Sequence, residues 1–419
     1  MIRRLFFLAI FFVVCCDLYS QIATSSHYSR FGLGELYVQG NPIYNSLSNA
    51  TSAINNPKTI NPGNPASYSS FTSKSFLLST GGWHQTTKME NNTSEQIVNN
   101  NGFSHFIMGF PISEKVGFSA GIIPFSSIGY NINTSLNESI NVQSANYSGD
   151  GGISKIYFGS AYKLSDELSI GLNASYLFGS LNRRKELVYQ DGTFFNSRSN
   201  NKISLKGYIY ELGVMFKKLL NDNEEYAIGL SAYNNTSVSA NKTELLESFR
   251  YVGVTELVKD TFVNTSQYGQ IFLPRSINVG VSYMKDKKWL LLANYNIQYW
   301  SNYKIFDEEG DLENSQTFSS GIEYTPDYNS FTDYYKTINY RLGISYKMYP
   351  LKFNDYQLEE KSLSFGFGLP YKKSATKYDI YCVLGTRGTT NKNLIEENFF
   401  RIGLAISYYD TWFRKLKYD

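Results

Sequence analysis

Trp289-Leu290-Leu291-Leu292-Ala293-Asn294-Tyr295-Asn296-Ile297-Gln298-Tyr299 reads with a period of two. Trp289, Leu291, Ala293, Tyr295, Ile297 and Tyr299 form one apolar and aromatic series. Between them Leu290 and Leu292 give way to Asn294, Asn296 and Gln298. Successive side chains of a strand point to opposite faces, so this segment has one greasy face and one that turns wet along its length. The period returns at Ile338, Tyr340, Leu342, Ile344 and Tyr346, set against Asn339, Arg341, Gly343 and Ser345. It returns again at Phe400, Ile402, Leu404, Ile406 and Tyr408, set against Arg401, Gly403, Ala405 and Ser407.

Run length separates the architectures such strands can build. Many runs reach about 10 to 16 residues, whereas soluble strands average about 5 or 6. A tilted strand needs about 9 to 11 residues to cross a bilayer. Tyr and Trp cluster at the run ends, as in the aromatic girdles of membrane barrels. A soluble sandwich would need shorter strands and more regular turns. Fourteen runs are expected, near 74–87, 102–111, 115–134, 151–164, 168–186, 202–218, 225–240, 274–285, 288–302, 316–326, 336–348, 361–370, 376–388 and 396–410. The reading is an all-β, transmembrane antiparallel β-barrel spanning 74–413. Connections at 111–115, 163–167, 219–225 and 285–288 are short, and those at 88–101, 135–150, 187–201, 241–273 and 303–315 are long. Short turns on one side and long loops on the other fit such a barrel. Loop 241–273 carries Leu245, Leu246, Val252, Val254, Leu257 and Val258, so it is expected to fold over the rim.

Composition excludes other classes. The chain has 419 residues, of which 18% are charged and 16% aromatic. Charge is below the roughly 25% of an average soluble domain. No series of apolar stretches of about 20 residues is present for a helical membrane bundle. Net charge is +3, from 39 basic and 36 acidic residues, so no nucleic-acid footprint exists. Arg3 and Arg4 precede the apolar run Leu5 to Val14, and Ser20-Gln21 offers a cleavage point. That pattern is a secretory signal over 1–20, too short for a spanning helix. Cys15 and Cys16 fall within it, which leaves Cys382 without an internal disulfide partner.

Residues 21–73 do not alternate and are rich in Asn, Ser, Gly and Pro. They also carry Phe31, Leu33, Leu36, Tyr37, Val38, Ile43, Tyr44 and Leu47, which is much to bury. A barrel of fourteen strands has a lumen too wide for wall side chains alone. The segment is therefore expected to fold back as a hatch within the lumen.

At Gly32-Leu33-Gly34, Asn64-Pro65-Ala66, Pro124-Phe125-Ser126-Ser127-Ile128-Gly129-Tyr130, Gly366-Phe367-Gly368-Leu369-Pro370, Gly385-Thr386-Arg387-Gly388-Thr389 and Trp412-Phe413-Arg414-Lys415 the chain resembles a known family. This is the FadL/TodX-like long-chain fatty acid transporter family of outer-membrane proteins, its Bacteroidota branch especially. The resemblance implies a fourteen-stranded barrel with an N-terminal hatch. It also implies passage of hydrophobic molecules into the barrel and sideways into the lipid. Such barrels in that branch also serve as subunits of secretion or barrel-assembly machines. A hydrophobic small molecule, outer-membrane lipid and other outer-membrane proteins are the expected partners.

Several residues are candidates for function. Pro124 lies inside a long strand, where proline lacks the N–H that the ladder needs. It is expected either to bulge the strand or to open the wall, with Phe125, Ser126 and Ser127 lining the opening. Gly32 and Gly34, with Asn64, Pro65 and Ala66, are candidates for fixing the hatch, the last three through a rigid turn. Glu211, Arg341 and Arg401, with Lys155 and Arg387, fall on lumen faces. They either bind a ligand carboxylate or pair with one another or the hatch, since buried charges need partners. Gly117-Phe118-Ser119-Ala120-Gly121 matches a nucleophile elbow in letters but lacks its strand–turn–helix setting. His27, His84 and His105 have no metal-ligand spacing. No cofactor and no enzymatic activity are expected. Residues 414–419 read as a solvated basic tail.

Overall fold

Each alternating run becomes a strand, and each strand pairs antiparallel with its successor. The strands are β1 (Ser75–Glu90), β2 (Glu95–Pro111), β3 (Val116–Ser135), β4 (Val142–Lys163), β5 (Leu168–Tyr189) and β6 (Asn196–Asn221). β7 runs as Glu224–Tyr233 and Thr236–Val252, and β8 as Thr255–Leu273 and Ser276–Lys285. Then come β9 (Trp289–Gln298), β10 (Ser315–Tyr324), β11 (Asn339–Phe353), β12 (Tyr356–Pro370), β13 (Lys377–Arg387) and β14 (Glu396–Thr411). β14 returns to β1, from Glu396 opposite Glu90 to Thr411 opposite Ser75, and closes the 14-stranded barrel. This computed structural model describes residues 24–37, 40–135, 142–189, 194–253, 255–330, 332–353, 355–371 and 375–412. The export segment expected at 1–20 and the tail expected at 414–419 lie outside the described residues.

The two faces fall as the period demands. Leu291, Leu342, Leu363, Leu404, Ile322 and Leu212 are exposed on the outer surface, while Arg341, Ser319, Ala405 and Ser407 are buried inside. Aromatic pairs flank the short-turn end, with Trp289 on Tyr324 at 4.2 Å and Phe76 on Trp412 at 4.1 Å between ring centroids. An apolar band bounded by aromatic rings is the exterior that lipid requires.

The segment 241–273 departs from expectation. It does not fold over the rim as a loop. It continues β7 and β8 as a ladder from Thr236–Leu273 to Val252–Thr255. The β7 half also pairs with β6, from Lys206–Ser239 to Asn196–Phe249. Its apolar residues keep no strict period of two: Phe249 is buried, while the neighbours Leu257 and Val258 are both exposed. β4 to β8 therefore stand tall, while β9, β10 and β13 hold only 10, 10 and 11 residues.

Residues 24–37 and 40–74 lie in the interior. Two short 3₁₀ helices, Pro42–Leu47 and Pro65–Ser70, carry proline in their first turn and are capped by Asn41 and Asn64. Each Asn side chain accepts from a backbone N–H two residues on, Ile43 and Ala66 respectively, satisfying donors that a helix start leaves orphaned. Leu47, Ala66 and Tyr68 are wholly buried against the wall.

Candidate functional site

Asn64, Pro65 and Ala66 press backbone against backbone. The Asn64 amide donates to the Ser52 carbonyl at 2.7 Å and to Val214 of β6 at 3.2 Å. Wall glycines make room for this contact. A Cβ at Gly213 or Gly171 would collide with Asn64, Pro65 or Ala66, and one at Gly117 with the Tyr68 carbonyl. Tyr68 reaches on to Asn173 at 3.1 Å. The short-turn half of the lumen is thus packed by the hatch.

Farther up, the hatch lies along β3. Gly32 and Gly34 have φ of +53° and +90°, a region that L side chains rarely adopt. A Cβ on Gly34 would also overlap the Ser127 carbonyl. The glycine lets Glu35 and Leu36 pair antiparallel with Ser127 and Ser126, and Tyr37 donates its N–H to the Phe125 carbonyl at 3.0 Å. Phe125 is the extra residue of a bulge between Pro124 and Ser126 in the β3–β4 ladder. Pro124 itself faces Ser154 of β4. On its other side β3 pairs with β2 only from Pro111–Gly117 to Phe106–Ile122. Above that level, among the described residues, β2 pairs with β1 alone, and β3 has the hatch in place of β2. Pro124 stands at the foot of this interval.

The lumen charges are partnered. Arg341 meets Glu323 at 2.6 Å and Asp379 at 2.7 Å. Asn173 donates to Glu211 at 3.3 Å, and the buried Lys155 lies near the same carboxylate. Arg387 bridges three carboxylates, Glu35 of the hatch at 2.8 Å, Glu360 at 2.9 Å and Glu397 at 3.4 Å. Burial alone would raise the Glu35 carboxyl. Arg387, Arg401 and a hydrogen bond from the Thr24 hydroxyl outweigh it and hold the group at about 2. Arg401 donates Nε to Gln85 at 2.7 Å and stands over the Trp83 ring at 5.0 Å.

Between the hatch and the wall is a cavity of about 250 Å³, with Leu33, Glu35, Tyr37, Asn45 and Thr51 of the hatch in its lining. Trp83, Phe103, Ile123, Pro124, Tyr381 and Phe399 give it one apolar wall, with Arg401 among them. Ser231, Asn278, Asn294, Asn296, Thr317 and Ser319 give it an opposite polar wall. The apolar wall contains both borders of the β2–β3 interval, Phe103 with Ser104 and Ile123 with Pro124. Among sequence families, the model named BamG matches residues 1–419.

The chain belongs to the BamG family.

No curated protein matches this BamG-family chain in sequence. Among solved structures it superposes on the P. putida toluene transporter TodX with a TM-score of 0.62 at 15% identity, covering 92% of this chain and 100% of that one. A Pseudomonas aeruginosa FadL homologue gives 0.57 at 11% identity, covering 91% and 100%. The CymD monoaromatic hydrocarbon channel gives 0.53 at 14% identity, covering 92% and 99%. These likenesses show that the BamG-family barrel has the fold of hydrophobic-compound channels.

Ser119 of the elbow-like motif is buried in a strand, bonded to the Met108 carbonyl and the Tyr157 hydroxyl, each at 2.9 Å. Small residues under the packed hatch account for that motif. Glu35, Glu360, Glu397, Trp83 and Phe103 were absent from the sequence candidates. Trp83 shares the inward face of Leu77 and Ser79, so the strand period alone would have found it.

Proposed function

We propose that this barrel sits in the outer membrane and lets small hydrophobic molecules, fatty-acid-like or aromatic, pass from its lumen sideways into the lipid. One observation carries the reading: the β2–β3 ladder ends at Phe106–Ile122, and residues on both sides of the interval above it line the cavity. A backbone route between two strands, bordered by Trp83 and Phe103, suits an apolar solute that would be costly to leave in water. The hatch packs against wall glycines in the short-turn half of the lumen, which favours the wall over the axis as the exit. The toluene and monoaromatic channels that share the fold support this cargo class. The test is to close the interval. Phe103→Cys and Ile123→Cys, bridged by a short bismaleimide, should cut uptake of a hydrophobic probe severalfold, while each single variant treated alike should not. Equal uptake in the bridged protein would overturn the route.

A second reading is a non-transporting subunit of a secretion or barrel-assembly complex. The polar wall favours it, because Ser231, Asn278, Asn294 and Asn296 offer an apolar cargo nothing to replace its contacts. Stoichiometric partners after mild detergent extraction, with no uptake of the probe by the unbridged protein, would select this reading.

A further inference from the structure

β8 ends its partnership with the short half of the barrel at Ile271 and Phe272, which pair antiparallel with Ile305 and Lys304. The chain then turns away at Phe306 and Asp307, both with positive φ. Phe306 donates its N–H to Gln270 at 3.0 Å and covers Gly269. From Gly269 up to Thr255, among the described residues, β8 pairs with β7 alone. Its other edge is a row of backbone N–H and C=O groups facing water.

Natural sheets blunt such edges with charge, proline, bulges or a covering loop. The upper part of this one does so. Glu256, Lys259 and Asp260 fall there, and the ladder shifts register between Val258 and Asp260 and again between Thr261 and Val263. The lower part does not. Val263-Asn264-Thr265-Ser266-Gln267-Tyr268-Gly269 carries no charge and no proline, and its register with β7 is unbroken. Tyr268 is 82% exposed, and Phe262 beside the run is 64% exposed. An uncharged, regular, bare edge is a template for one more strand.

We propose that Val263–Gly269 receives an extended segment of a different cell-surface protein as an added antiparallel strand. The proposal does not depend on whether the barrel conducts. The direction follows from Lys304–Ile305, which already begins such a strand and leaves its continuation vacant. The absence of charge on the run selects an uncharged, extended partner segment. A large exposed tyrosine beside the ladder offers ring contact to an alternate side chain of the added strand. A second copy of this chain does not fit. In the same membrane its β8 descends in the same sense, and a two-fold axis sets identical edge residues against each other. A parallel ladder would need alternate residues from the two strands.

The experiment uses the full chain in its own membrane. p-Benzoylphenylalanine is placed singly at Asn264, Ser266 and Tyr268, and at the pairing-side control Thr243. The expected result is photoadducts from the three edge positions to one protein, within one stretch of about seven residues. Contacts should step backward along it as the probe moves from 264 to 268. Asn264→Lys should cut the 266 adduct at least tenfold, with the heat-shifted gel band of the folded barrel unchanged. Adducts to lipid alone, to a second copy of the chain, or to scattered sites would each overturn the proposal, and so would no adduct at all. Undiminished adduct in the folded Asn264→Lys protein would do the same.

Discussion

Two strands in this barrel outrun their neighbours, and the chain treats them differently. β3 loses β2 above Ile122, and β8 loses its partner above Ile271. On β3 the hatch lays down Glu35–Tyr37 as a replacement. On β8 nothing among the described residues does so above Gln270. The difference follows from where each edge stands. Ser126 and Ser127 are almost fully buried, and an unmade backbone hydrogen bond there costs about 1–3 kcal/mol. The β8 edge stands in water, which satisfies the same groups at little cost. A buried edge must be completed by the chain itself, whereas a solvated one can wait for a partner.

Closing the β3 edge takes two devices, and each can be removed. The larger is the ion cluster. Arg387→Ala leaves Glu35, Glu360 and Glu397 buried around a missing cation, a change that typically costs about 3–5 kcal/mol. The variant should shift from folded to unfolded gel mobility at lower temperature. Its Ser127 amide, which faces the hatch strand, should exchange hydrogen as fast as those of Asn264 and Ser266. Slow exchange in that variant would mean the hatch strand holds without the cluster. The smaller device is local. Gly34→Ala puts a side chain at φ +90° and against the Ser127 carbonyl, a strain of about 1–3 kcal/mol. Here exchange at Ser127 should rise while the gel transition moves by only a few degrees. A transition lowered as far as in Arg387→Ala would show that the whole hatch, not its upper strand, depends on this residue.

Which of these features could be read from the sequence depends on whether they repeat. The barrel wall was legible because Leu291, Leu342 and Leu404 recur on a fixed period that lipid enforces on every strand. The hatch was legible as a segment, because Phe31, Leu33 and Ile43 need burial and the lumen needs filling. Asn64-Pro65-Ala66 was legible as a turn, but the cradle of Gly117, Gly171 and Gly213 was not. Each of those glycines lies on a different strand, and only closure of the sheet brings them together. Glu35 was missed for the same reason: its three-carboxylate partnership with Arg387 joins residues 35, 360, 387 and 397. The 241–273 segment was misread because a strand that leaves the membrane loses the lipid constraint on its outer face. Its period then blurs, as at Leu245-Leu246 and Leu257-Val258.

Acid supplies the mildest way to separate the two edges. Glu35 titrates at about 2 in the folded hatch, below the 4.5 usual for the group. A carboxyl lowered on folding contributes stability that is complete above its unfolded value and is lost as pH falls through its folded one. Between pH 7 and pH 5 Glu35 itself should therefore contribute no change at the β3 edge. From about pH 4.5 toward pH 2, proton uptake by Glu35 should weaken its hold on Arg387 and loosen Leu36 from Ser126. Intrinsic amide exchange also varies with pH, so the bare β8 edge is the internal reference. The ratio of Ser127 exchange to Ser266 exchange removes that variation and leaves the opening of the hatch strand. In Glu35→Gln the rise between about pH 4.5 and pH 2 should be smaller than in wild type, because that side chain no longer titrates while the Thr24 contact can persist. A ratio that rose equally in wild type and Glu35→Gln would place the acid sensitivity elsewhere in the cluster. The difference between the closed edge and the open one would then rest on Gly34 and the backbone alone.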